Sequence, residues 1–143
     1  MNGYELIGKP EIIAGIAFLI GLLQYIDTRN KEFRKVFWQK QFDLYSKAVR
    51  AAANIAIAPN IESVKTECHE FWSLYWGELS IIENIIVRDA MVDYGEQLKK
   101  VESGEKIEVL QHCAYLLARA CRESLKETWE PVKLDDISKK MKQ

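Results

Sequence analysis

Every position from Ile12 to Ile26 is apolar or glycine except Gln24 and Tyr25, and after Asp27 comes the basic stretch TRNKEFRKVFWQK. An uncharged run ended by cations is what an N-terminal membrane anchor requires. With Pro10 at its first position, a helix through Ile26 rises about 25 Å at 1.5 Å per residue, near the short limit of about 17 residues for a span. Tyr4 and Tyr25 fall at its two ends, where aromatic rings favour the bilayer interface. The alternative that the same run permits is a helix buried in a protein core.

No glycine or proline interrupts the chain between this run and Pro59. One helix is therefore expected from Pro10 to Ile57, with Phe37, Leu44, Ala48, Ala51 and Ile55 at helical spacing in its second half. Pro59-Asn60 ends it, and Asn60 can cap the next helix. That second helix begins near Ile61. Phe71, Leu74, Tyr75, Leu79 and Ile82 give it one apolar face, which Trp72 and Trp76 widen, so it is expected to be the most buried. The pattern shifts phase at Glu83-Asn84. A third helix follows over Ile85–Val101 with Val87, Met91, Tyr94 and Leu98 on one side. After the turn Ser103-Gly104, a fourth runs from Glu105 to Glu130, with Pro131 just beyond it.

No repeat, low-complexity tract or strand-like alternation occurs. The expected fold is all-α: a single transmembrane helix continuing into a cytoplasmic bundle of about four helices. The expected divisions are 1–27 for the N-terminal segment and anchor, 28–132 for the bundle and 133–143 for a polar tail.

Charge fixes the expected orientation. Lys9 stands alone before the run, whereas Arg29, Lys31, Arg34, Lys35 and Lys40 crowd after it, which puts the N-terminus outside and the bundle in the cytoplasm. A cleaved signal peptide fits badly, because Glu5 and Glu11 precede the apolar run and no small-x-small cleavage site follows. Across 143 residues, 20 Lys and Arg against 21 Asp and Glu leave a net charge of -1. That lacks the basic field DNA binding would need. About 115 residues remain outside the anchor, enough for one hydrophobic core without metal or disulfide staples. Cys68, Cys113 and Cys121 are odd in number without CxxC spacing, which speaks against a disulfide framework.

Within the anchor, Ala14, Ala17, Gly21 and Gln24 recur at i, i+3, i+7 and i+10, the spacing of a helix seam. Small residues let membrane helices approach closely and Gln24 can hydrogen-bond across the contact, so a homo-oligomer is expected. Chance spacing, with Gln24 reaching the headgroups, is the plain alternative. One Gln per helix is too little polarity for a constitutive pore.

Catalytic chemistry finds little footing. Cys68-His69 and His112-Cys113 could supply four zinc ligands, but adjacent residues on a helix diverge by about 100° and known spacings separate the ligands. HExxH, the Glu-x-x-His repeat, GxSxG, P-loop and GxGxxG motifs do not occur. The expectation is a non-enzymatic chain without metal or cofactor. Two charges do stand inside apolar segments: Glu83 among Ile81, Ile82, Ile85 and Ile86, and Arg122 among Ala118, Cys121 and Leu125. Either they form a structural ion pair fixing helix register, or they belong to a polar pocket. In the second case Arg122 with Arg119 or Lys126 would receive an anionic ligand.

The segments FWSLYWGEL from Phe71 to Leu79, Glu83, Ala90-Met91, and ACRESL from Ala120 to Leu125 with Trp129 resemble a family of small uncharacterised bacterial proteins. The resemblance implies one N-terminal membrane helix joined to a cytoplasmic helical domain, and it implies no activity. In architecture alone the chain is also similar to small membrane effectors of bacterial antiviral defence, in which a cytoplasmic domain binds a nucleotide second messenger and oligomerised anchors disturb the membrane. Two functions are therefore expected to compete. One is a membrane-anchored, self-associating module of the bacterial inner membrane that binds an anionic small molecule or a partner protein. The other is a gated membrane-disrupting effector.

Overall fold

The computed structural model describes residues 10–130. Their architecture is all-α: α1 (Pro10–Ala56), α2 (Lys65–Trp76), α3 (Leu79–Ile82), α4 (Ile85–Glu102) and α5 (Leu110–Trp129), with single 3-10 turns at Ile61–Val64 and Ile107–Val109. No strand occurs among the described residues. Tyr4, Lys9, Pro131 and the tail 133–143 lie outside them. The chain divides into two compact units, one ending at Val36 and one beginning at Phe37, so α1 contributes to both.

The first unit holds the apolar stretch of α1. Its 18-residue window is long and apolar enough to cross a membrane, and none of it is buried. The run therefore serves no core among the described residues. Ala14, Ala17, Gly21 and Gln24 are all exposed.

In the second unit, local chemistry sets the helix ends. Proline at position 59 has no backbone N–H to extend α1. Asn60 then accepts the Ser63 N–H at 3.0 Å and opens the next turn as its sequence position promised. The segment expected as one helix from Ile61 breaks after Trp76. A Cβ at Gly77 would stand 2.5 Å from the Ser73 carbonyl oxygen, so only glycine fits this corner. After the short α3, Glu83 is extended (φ -70°, ψ 143°), and Asn84 caps α4 by accepting the Val87 N–H at 3.1 Å. Gly104, at φ 110°, takes the left-handed turn that closes α4. The last helix starts at Leu110 rather than Glu105, behind a 3-10 turn.

The core of this unit is built on α1. Leu44, Tyr45, Ala48, Ala51, Ala52 and Ile55 are buried there. Against them lie Phe71 and Leu74 of α2, Leu79 of α3, Val87, Met91, Tyr94 and Leu98 of α4, and Leu117 and Cys121 of α5. The alanines leave room for a close approach, and Tyr94 uses it to donate its hydroxyl to the Ala52 carbonyl at 2.8 Å. The expectation that α2 would be the most buried helix fails at Trp76, which is 74% exposed. It stacks edge-on with Tyr75 beside the Gly77 corner instead of facing the core.

Candidate functional site

The second half of α1 meets the second half of α5. Trp38 donates its indole N–H to the Leu125 carbonyl at 3.2 Å, and Tyr45, two turns on, meets Ser124 at 2.9 Å. Between the helices opens a groove of about 630 Å³, inside the range of about 300–1,000 Å³ usual for small-molecule sites. Its walls come from one stripe of each helix: Trp38, Phe42, Tyr45 and Val49 of α1, and Ala118, Cys121, Leu125 and Trp129 of α5. These are i, i+4, i+7, i+11 and i, i+3, i+7, i+11 repeats, so each wall is continuous along three helical turns. Ala118 and Cys121 are the small residues of the α5 wall.

The aromatic end is incompletely covered. Trp38 stacks on Phe42 at 5.4 Å and 16° and meets Trp129 at 5.4 Å and 60°. Phe42 is nevertheless 51% exposed and Trp129 64% exposed. On the α5 lip stand Arg122 and Lys126, four residues apart, with Glu130 one turn beyond. Lys126 pairs with Glu123 at 3.5 Å, whereas Arg122 has no ion pair among the described residues.

Behind the groove the interior is polar and nearly closed. Tyr45 and Ser124 share a hydroxyl–hydroxyl bond, and Gln41, 2% exposed, donates to the Ile82 carbonyl at 3.1 Å and lies 3.4 Å from the Tyr45 hydroxyl. The Gln41 Oε1 is buried without a partner. Burial raises the Tyr45 phenol, against the opposing Ser124 bond. Burial, with the Glu83 charge adding to it, pushes the Cys121 thiol up to about 12. That thiol stays protonated at neutral pH and lines the groove as a small apolar group rather than a nucleophile.

The residues singled out from sequence separate here. Arg122 and Lys126 share the groove lip. Arg119 is exposed on α5 and does not line the groove, and Glu83 is half-buried after α3, also off its walls. The structure does not form the buried Glu83–Arg122 pair: Arg122 is exposed, and no ion pair joins the two among the described residues. The reason is α3. By ending at Ile82 it turns Glu83 into an extended link, where the cation that acts on its carboxyl is Arg88.

The zinc arrangement does not form either. Cys68 is buried while His69 and His112 face solvent, and no group of three or more metal-binding side chains gathers among the described residues. Trp38 and Phe42 carry the groove yet were not singled out from sequence. Their signal was an aromatic pair at i, i+4 on the same face as Tyr45 and Val49.

A second depression of about 510 Å³ lies between α4 and α5, with Asp89, Asp93 and Glu96 along one side and Cys113 and Leu116 on the other. Burial and the Asp93 charge both raise the Cys113 thiol. No family model, curated protein or solved structure matches the chain, so the chemistry of these side chains is the guide to function.

Proposed function

We propose that the chain is a non-enzymatic, membrane-anchored binding module of a bacterial inner membrane, with the groove between α1 and α5 as its ligand site. The observation that carries this reading is the groove itself: an apolar trough of about 630 Å³ whose lip holds an arginine with no ion pair among the described residues. Arg122, with Lys126 beside it, takes the anionic part of the ligand, and Trp38, Phe42 and Trp129 take the apolar part. The exposed apolar window of α1 supports a span. The cations from Arg29 to Lys40 support a cytoplasmic bundle and an external N-terminus. Self-association through Ala14, Ala17, Gly21 and Gln24 belongs to the same reading.

Native mass spectrometry of the full-length protein extracted into lipid nanodiscs tests the binding site. Wild type should carry a small molecule that an Ala118→Phe variant, its groove filled, does not. Identical spectra from the two would sink the reading. A C-terminal reporter active only in the periplasm should stay silent, and carbonate washing should leave the protein in the membrane pellet.

A further inference from the structure

The polar groups of the groove restrict what it can hold. The indole N–H of Trp38 is already given to the Leu125 carbonyl, and the hydroxyls of Tyr45 and Ser124 share one hydrogen bond, in which one donates and the other accepts, at a place buried behind the groove. What remains for a ligand is chiefly the lip, where Arg122 stands with Lys126, itself paired with Glu123, and with Glu130 one turn beyond, and Ser46 opposite on α1. A nucleobase pressed into this floor would leave the donors and acceptors of its inner edge without partners, and each one buried so is costly. A nucleotide is therefore a poor fit, although cations and aromatic rings are both present.

A flexible hydrocarbon chain asks for nothing that the floor lacks. The two walls run in parallel stripes of about 16 Å, the rise of eleven residues on a helix, and they enclose one trough rather than two. That shape suits one extended chain. The uncovered faces of Phe42 and Trp129 are apolar area that such a chain would take out of water. Arg122 supplies the charge complement. It shares the lip with Glu130, has no ion pair among the described residues, and can receive a planar anion with two parallel N–H bonds.

We infer that the groove between α1 and α5 binds a single-chain anionic amphiphile, a free fatty acid, with its carboxylate on Arg122 and Lys126 and its acyl chain along Trp38, Phe42 and Leu125. This inference rests on the binding-module reading and names its ligand class.

The test uses the full-length protein in phosphatidylcholine nanodiscs and a diazirine-bearing dodecanoate, with the labelled residues mapped by mass spectrometry. Labels should fall within 38–49 and 118–129 and be displaced by unlabelled dodecanoate. Dodecanol, which lacks the charge, and hexanoate, which lacks the length, should compete at least about tenfold less well. Arg122→Gln with Lys126→Gln should weaken dodecanoate by about tenfold and leave dodecanol unchanged. Ala118→Phe should abolish labelling of both segments while leaving the helical circular dichroism intact.

Labels confined to 12–26 would mean that the probe only partitions into the bilayer, and would overturn the inference. Displacement by phosphatidylglycerol built into the disc, as effective as by dodecanoate, would reassign the site to a membrane phospholipid and also overturn it. Protection of the groove by a cyclic dinucleotide, with no labelling by the acyl probe, would overturn the ligand class and keep the binding module. If the native mass spectra of wild type and Ala118→Phe are also identical, both fall together.

Discussion

The Tyr45 and Ser124 hydroxyls meet at 2.9 Å in the buried seam between α1 and α5, and with the Trp38 indole N–H on the Leu125 carbonyl they tie the two helices through polar groups. Neither group has access to water, so removing Tyr45's hydroxyl takes from Ser124 its partner, and removing Ser124's leaves Tyr45 only the longer Gln41 contact at 3.4 Å. Tyr45→Phe or Ser124→Ala alone should each destabilise the bundle by about 1–3 kcal/mol. The double variant should cost less than the sum of the two, because no orphan remains. Denaturant unfolding of the full-length protein in detergent, followed by helical circular dichroism, gives the coupling as a double-mutant cycle. Additive effects would mean that the hydroxyls do not depend on each other.

Arg122 tests the opposite situation. Had it formed a buried pair with Glu83, its loss would cost roughly 3–5 kcal/mol. On the groove lip, exposed and without an ion pair among the described residues, Arg122→Gln should change stability by no more than about 0.5 kcal/mol. The same unfolding experiment decides. A loss of several kcal/mol would restore the buried pair and remove the arginine from the ligand site.

Reading Arg122 from sequence alone shows where pattern stops informing. Helical periodicity was enough for Leu44, Ala48, Ile55, Val87, Met91 and Leu98, because burying one face of a helix needs only the right spacing. The sequence also located the cap at Asn60, the break at Glu83-Asn84 and the turn at Gly104, where side-chain chemistry or backbone freedom is local. The Gly77 corner was hidden by the continuous apolar run around it, and with it went the placement of Trp76 and Glu83. The groove was invisible for a different reason. It depends on Ala118 facing Val49 across two helices 69 positions apart in sequence, and no spacing within one helix reveals a gap between two. Charges on an apolar helix such as Arg122 and Lys126 are conspicuous, whereas the periodicity of α1 picks out Phe37 and passes over Trp38 and Phe42.

Glu83 yields a pH prediction. Burial raises its carboxyl above the ordinary range, and Arg88 only partly opposes this. A carboxyl raised in the folded state favours folding while it is protonated. That advantage is lost as pH rises from the usual carboxylate value through the raised one. Wild type should therefore lose stability relative to Glu83→Gln as pH rises above the ordinary carboxylate value toward neutrality, where the variant should be the more stable of the two. Thermal midpoints of both proteins across that window measure the difference. A wild type that gains on the variant as pH rises would mean that the carboxylate has a favourable partner.

The last prediction concerns the anchor. Ala14, Ala17, Gly21 and Gln24 lie along one line of α1, and nothing stands within 4 Å of a Cβ built at Gly21. Gly21→Ile is therefore harmless to a single helix and can act only through a neighbour. If copies meet along this line, the new side chain holds the backbones apart and association of the full-length protein in nanodiscs or micelles should weaken. Gln24→Leu should weaken it by about 1 kcal/mol, the usual worth of a polar contact between membrane helices. Ile16→Ala and Leu23→Ala lie off the line and should change association less. Energy transfer between donor- and acceptor-labelled copies, measured as the protein is diluted in lipid, separates the cases. Equal losses at all four positions would point to unspecific crowding of apolar helices, and no loss at Gly21 would place the contact on another face.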